Sequence, residues 1–127
     1  MSNNQSGDVN EFELLKKFRE GAIIHHFGVF MADSDIQDRG MKMLFAASGV
    51  LEESHPDGLM ALEPLLDDPE PGVRADAAGR MIGVIPERAI AILEELKDSD
   101  HLEASTTSRG TLLSYTMRTG GDWHRYS

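Results

Sequence analysis

Two neighbouring histidines, His25 and His26, are the residues of this chain that most resemble metal ligands. If they lie on a helix, their side chains point about 100° apart, so they cannot hold one ion together. The His-x-x-x-His spacing that would align two imidazoles on one helix face is absent. We therefore predict that there is no metal site here, and that one histidine is half-buried and the other exposed.

Paired carboxylates at Asp67-Asp68 and Glu94-Glu95 are the next candidates for chemistry. Acid–base catalysis needs two acids that face each other across a pocket, whereas adjacent acids on a turn or helix face are usually solvated. The chain has no cysteine, which excludes thiolate nucleophiles and cysteine zinc sites. It also has no Gly-x-Ser-x-Gly elbow and no phosphate-binding loop. We predict no catalytic residues and no cofactor, and hence a protein that is not an enzyme.

The overall charge argues against nucleic acid as a partner. The 127 residues include 22 acids and 12 Lys and Arg, for a formal net charge of −10. Phosphate backbones are bound by clusters of Lys and Arg. The N-terminus lacks a signal peptide pattern, and no apolar run approaches the ~18 residues of a membrane span. We expect a cytoplasmic protein that binds neither nucleic acid nor membrane.

The acidity is concentrated between residues 52 and 70, a stretch with seven acids and no Lys or Arg. Such a stretch is either a solvated face that keeps the protein soluble or a dock for a basic protein partner. In the second case the residues that bind the partner would come from this stretch, and the candidates are Glu52, Glu53, Asp57, Asp67, Asp68 and Glu70.

The C-terminal tail, residues 121–127, contains the only Trp and one of the two Tyr. Trp, Tyr and Arg are enriched at interface hot spots, so Trp123 and Tyr126 are further candidates for partner binding. The alternative is that Trp123 folds back and covers one end of the helical stack, as a terminal cap must.

Apolar residues recur with helical periodicity along nearly the whole chain, and nothing alternates like a strand. The pattern predicts six helices, at about 8–30, 34–53, 56–66, 71–84, 86–96 and 101–117. Ser34 with Gln37 predicts a capping box, and Pro64 should kink the third helix. The fourth helix is apolar over most of its circumference, with Asp76 and Arg80 on its polar strip.

The first helix is also apolar over much of its circumference, through Leu14, Phe18, Phe27 and Phe30. A helix of this kind could pair with itself, so a homodimer is one possible assembly.

The segment from Leu62 to Leu96 resembles a HEAT-like repeat. A leucine-rich helix with an internal Pro leads into Asp-Asp-Pro-x-Pro and then into Val-Arg-x-x-Ala-Ala. The signature residues are Asp68, Pro71, Val73, Arg74, Ala77 and Ala78. The whole chain is similar to a small bacterial family of unknown function that is built from such helices. The resemblance implies an all-α, HEAT-like superhelix of about six antiparallel helices, in which Arg74 meets Asp67 or Asp68.

We therefore expect a disordered N-terminus (residues 1–7), a single HEAT-like domain (residues 8–120) and a C-terminal tail (residues 121–127). Repeats of this type usually present surfaces to other macromolecules. Our leading hypothesis is a non-catalytic protein–protein interaction module. The alternative is an acidic immunity or inhibitor protein that neutralises a basic toxin such as a nuclease. A third hypothesis is a chromophore- or base-modifying enzyme of a HEAT-like class, although the net charge opposes activity on DNA bases.

Overall fold

The computed structural model describes residues 10–54 and 56–127, and these residues form helices with no strand. The prediction of an all-α fold is confirmed. The helices are α1 (Glu11–Met31), α2 (Ser34–Ser54), a 3₁₀ helix η1 (Gly58–Asp67), α3 (Pro71–Met81), α4 (Pro86–Lys97), α5 (Leu102–Thr119) and a short 3₁₀ helix η2 (Trp123–Tyr126). The N-terminus that we predicted to be disordered, residues 1–7, lies outside the described residues.

The chain divides into two compact units, with the boundary between Leu65 and Leu66. The first unit contains α1, α2 and most of η1, and the second contains α3, α4, α5 and η2. The single domain over residues 8–120 and its HEAT-like superhelical order stay predictions.

Local hydrogen bonds define where the first two helices begin. The Asn10 side chain accepts a hydrogen bond from the Glu13 amide at 3.2 Å, so Asn10 is the N-cap of α1. The Asp33 carboxylate accepts from the Ile36 amide at 3.1 Å and so caps α2. The predicted capping box of Ser34 and Gln37 is therefore wrong, because the capping side chain is one residue earlier.

Helices α1 and α2 form an antiparallel hairpin in which glycines let the two backbones touch. A Cβ atom built on Gly21 would lie 2.8 Å from the Gly40 carbonyl oxygen, and one built on Gly28 would lie 2.5 Å from the Gln37 amide nitrogen. A Cβ atom on Gly40 would overlap the His25 amide nitrogen. No side chain larger than hydrogen fits at these points, so the glycines determine how closely the helices approach.

The third predicted helix is a 3₁₀ helix rather than a kinked α-helix. Pro64 has no amide hydrogen for an α-helical bond, which disfavours the α-helical pattern inside η1. With three residues per turn, Leu59, Leu62 and Leu65 align on one edge, and all three are buried. The three-residue spacing of these leucines was the sequence signal for this conformation.

In the second unit, α3 supplies the small residues of the core. Ala75, Ala77 and Ala78 have no exposed surface, and Ala75 packs with Leu96 of α4 and Ala104 of α5. The polar strip that we predicted on this helix is only partly present. Asp76 is buried rather than solvated.

We predict that Gly40→Ala destabilises the protein although alanine favours a helix. The added methyl group overlaps the α1 backbone, which cannot move aside as a flexible side chain can, and overpacking of this kind costs about 2–3 kcal/mol. Urea denaturation followed by far-UV circular dichroism measures the loss. The matched control is Gly49→Ala in the same helix, where nothing lies within 4 Å of the added methyl. It should gain ~0.5–1 kcal/mol. Equal stability of the two variants would contradict the close crossing.

A second prediction concerns two fully buried serines. Among the described residues, the Ser108 hydroxyl has no hydrogen-bond partner, whereas the Ser48 hydroxyl donates to the Leu44 carbonyl at 2.9 Å. Removing an unsatisfied buried hydroxyl relieves its desolvation cost, so Ser108→Ala should raise the free energy of unfolding by about 1 kcal/mol. Ser48→Ala should lower it by about 1 kcal/mol. Denaturation curves of the two variants with the same sign of change would contradict this assignment.

Candidate partner-binding surface

The turn between η1 and α3 holds three of the predicted acidic residues, and two of them are used internally. Asp68 is buried, and its carboxylate accepts a hydrogen bond from the Glu70 amide at 2.9 Å. The Arg74 guanidinium donates to the Asp68 carbonyl oxygen at 2.8 Å and to the Pro69 carbonyl oxygen at 3.3 Å. Arg74 thus meets Asp68 as predicted, through the Asp68 backbone carbonyl. These contacts give Asp68 a structural role in shaping the turn.

Asp67 forms an ion pair with Arg88 of α4, with 3.2 Å between the closest nitrogen and oxygen atoms. Both side chains are substantially exposed to solvent, where such a pair contributes at most about 1 kcal/mol. The pair connects the turn to α4. The Glu70 side chain is exposed, and no described residue forms an ion pair or hydrogen bond with its carboxylate. Of the three acids in this turn, it is the one best placed for a partner.

The other three predicted acids belong to the first unit. Glu52 and Glu53 are exposed in the last turn of α2, and Asp57 is exposed just before η1. The acidic stretch is therefore divided between the two units, with three candidates in each.

The C-terminal tail folds back onto the second unit, where η2 contacts α5. Tyr126 is buried, and its hydroxyl donates a hydrogen bond to the Glu94 carboxylate. Lys97 and Arg125 also pair with this carboxylate, each at 3.4 Å. Glu94 thus holds the tail through two groups, Tyr126 and Arg125, and also pairs with Lys97 of its own helix.

The two aromatic residues of the tail have different surroundings. Tyr126 is buried and hydrogen-bonded, so it contributes to the core of the second unit rather than to a free surface. Trp123 is half-buried and stacks on the His124 ring, with 3.9 Å between ring centroids. The tail folds back as the alternative hypothesis proposed, but the buried residue is Tyr126 instead of Trp123. Partner binding by Trp123 stays a prediction.

The histidine pair lies on the buried side of α1, so the prediction that one of them is exposed is wrong. Both His25 and His26 are buried, and their rings meet edge to face with 4.5 Å between centroids. His26 Nδ1 donates a hydrogen bond to the Ala22 carbonyl oxygen at 3.0 Å. His25 lies on the same side of α1 as Gly21 and Gly28, with its backbone against Gly40, which explains its burial. His26 is buried on the adjoining side of the helix, about 100° from His25.

The opposite side of α1 carries the feature that our choice of site residues missed. Phe12, Ile23, Phe27 and Phe30 are 72%, 42%, 52% and 68% exposed, respectively. At 100° per residue these four side chains lie within about 60° of one another around the helix. We call this set the aromatic stripe. Its sequence signal was the spacing of residues 23, 27 and 30, which is one helix face.

Charged residues are distributed unevenly along α1. The first half of α1, residues 11–20, contains three acids and three bases, and the second half, residues 21–31, contains no Asp, Glu, Lys or Arg. The second half therefore exposes apolar rings with no charged residue between them.

Comparison with known proteins provides no further guidance. The chain matches no family model, and it has no match among curated proteins or solved structures. The HEAT-like resemblance thus stays a prediction. In the described part of the chain, no helix combines the length and apolar character needed to cross a membrane.

The tail contact should be sensitive to alkaline pH. Burial raises the pKa of the Tyr126 phenol above its ordinary 10.0, and the Glu94 carboxylate raises it further, while Arg125 lowers it. Because the folded state favours the neutral phenol, its contribution to stability is complete below the unfolded pKa and is lost as pH rises through the folded pKa. We expect the fluorescence of Trp123, the only Trp, to change as pH rises beyond about 10.

The other tyrosine provides the control for this titration. Tyr126→Phe should abolish the alkaline transition of Trp123 fluorescence, and Tyr115→Phe should retain it. A transition that disappears only with Tyr115→Phe would show that the tail is not held by Tyr126.

Proposed function

We propose that this protein is a non-catalytic protein–protein interaction module whose docking surface is the aromatic stripe of α1. The observation that carries the proposal is the exposure of three phenylalanines and one isoleucine along one helix face. Exposed apolar side chains are common singly, but several large ones on one helix face are typical of an interaction site. The side of a helix that faces solvent is ordinarily polar. Large apolar side chains on this side therefore indicate a surface that a partner covers.

The size of the aromatic stripe supports a macromolecular partner. With ~200 Å² for a fully exposed side chain of this size, the four exposed fractions amount to about 500 Å². Covering that area would contribute about 12 kcal/mol before the cost of association, which is itself ~4–15 kcal/mol. The surface therefore supports binding of moderate affinity and would depend on further polar contacts for tight binding.

The net charge of −10 supports a protein rather than a nucleic acid as the partner. Aromatic rings can also stack on bases, but single-stranded nucleic acids additionally require a positively charged groove. Along α1 the acids and bases are equal in number, so the aromatic stripe has no such groove beside it.

The acidic inhibitor is our second candidate function, and one observation favours it. Glu52, Glu53 and Asp57 are all exposed at one end of the α1–α2 hairpin, which would present them to a basic partner. Asp67 and Asp68 contribute less to this candidate than the sequence suggested, since one pairs with Arg88 and the other caps the turn.

We expect the double variant Phe27→Ser with Phe30→Ser to lose protein partners that the unchanged chain captures from the lysate of its own cells. Serine removes the apolar area and leaves the buried side of α1 untouched, so the fold should be retained. The measurement is affinity capture with quantitative mass spectrometry, accompanied by thermal unfolding of both proteins.

The matched control is Leu102→Ser with Met117→Ser, which removes two exposed apolar side chains from α5 in the second unit. It should capture the same partners as the unchanged chain. If the control and the stripe variant capture the same partners, the aromatic stripe is not the docking surface.

For the second candidate, Glu52→Lys with Glu53→Lys should lower the affinity for a captured basic partner by about tenfold or more at low salt. The difference in affinity from the unchanged chain should shrink as the salt concentration rises. Titration by isothermal calorimetry at two salt concentrations measures this. Glu87→Lys with Glu95→Lys is the control, because it changes the net charge equally at exposed positions of α4. The same loss in both double variants would indicate a general charge effect rather than an acidic dock.

A further inference from the structure

We infer that the aromatic stripe binds a second copy of this chain, with the two α1 helices packed antiparallel. The inference rests on the proposed function, because it names the partner of the same surface. Four observations support it: the spacing of the side chains, their charge pattern, the exposed area and the absence of a basic face.

The spacing of the aromatic stripe is self-complementary under a two-fold axis at the level of Gly21. Phe12 lies nine residues before Gly21, and Phe30 lies nine residues after it. Two antiparallel copies in this register place each Phe12 beside the Phe30 of the other copy. Aromatic rings brought together in this way contribute beyond their buried area when they meet offset or edge to face. A symmetric homodimer requires this kind of self-matching patch.

The charges of α1 favour the antiparallel over the parallel arrangement. Antiparallel packing sets the charged half of one helix against the uncharged half of the other. Lys16 lies on the same helix face as the aromatic stripe, at the level of Phe27 of the second copy, where an ammonium group can lie over the ring. Parallel packing would place Lys16 and Arg19 against their own copies, and like charges in contact repel. Antiparallel helix dipoles also attract rather than repel.

The exposed area is sufficient for a specific contact. Two aromatic stripes of about 500 Å² each would bury about 1,000 Å² together, which is near the lower limit for a specific interface. Flanking side chains such as Arg19 and Glu20 would add to this area. A dimer of this size should dissociate on dilution, so its equilibrium should be measurable at ordinary protein concentrations.

A membrane surface is a poorer occupant than a second copy. Helices that lie on membranes combine an apolar face with a Lys- and Arg-rich polar face that binds anionic lipids. Helix α1 instead balances its charges, and the chain is acidic overall.

Sedimentation velocity of the full chain from ~1 to ~100 μM tests the pairing. We expect a species of twice the 14.0 kDa monomer mass to accumulate with concentration. Phe27→Ser with Phe30→Ser should shift the dissociation constant upward by at least about tenfold, since two of the four apolar contacts are lost from each copy. The control Leu102→Ser with Met117→Ser should dimerise like the unchanged chain.

Engineered disulfides test the direction of the helices, because the chain has no cysteine of its own. A mixture of Phe12→Cys chains and Phe30→Cys chains should oxidise mainly to the mixed disulfide if the helices are antiparallel. Disulfides that form mainly between two Phe12→Cys chains would indicate parallel helices and would overturn the arrangement.

The outcomes separate this inference from the proposed function. A chain that stays monomeric over the whole concentration range overturns self-pairing. The function proposed above would still stand if the unchanged chain captures a different protein and the variant Phe27→Ser with Phe30→Ser does not. A dimer that persists unchanged in the stripe variant also overturns the inference, because another surface must then hold the two copies together.

Discussion

The backbone contact between α1 and α2 is the constraint on which the first unit depends. Three glycines, at positions 21, 28 and 40, bring the two helices so close that a methyl group at any of them would meet backbone atoms. A contact between backbones fixes the rotation of a helix more strictly than a contact between flexible side chains. The side of α1 that faces α2 is therefore determined by residues with no side chain at all.

That rotation decides which residues of α1 are exposed. Once Gly21 and Gly28 face α2, the helical period directs Phe12, Ile23, Phe27 and Phe30 to the other side. The same rotation buries His25, whose backbone lies against Gly40. Phe18 is buried, but the other three phenylalanines of α1 are exposed. Their exposure departs from the usual helix pattern and gives the first unit its candidate binding surface.

The second unit relies on charged side chains that bind the backbone and one another. Arg74 holds the carbonyl groups of the turn before α3, while Asp68 satisfies an amide in the same turn. At the C-terminus, the Glu94 carboxylate receives Tyr126, Lys97 and Arg125. Acids that appeared from composition alone to form a continuous negative face thus divide into those that build the structure and those that remain exposed.

Helix order, the prolines at helix starts and the all-α class followed from the sequence, because apolar periodicity and proline are local signals. The 3₁₀ conformation of η1 was not predicted, although the leucine spacing and Pro64 contain its cause. The burial of Asp68, Asp76 and Tyr126 could not be predicted. Each depends on residues distant in sequence or on the packing of neighbouring helices. The outward direction of the aromatic stripe was also decided by tertiary structure. A helix that is apolar on most sides carries no local signal of which side faces its neighbour. Only the fit of the glycines against the backbone of the other helix selects that side.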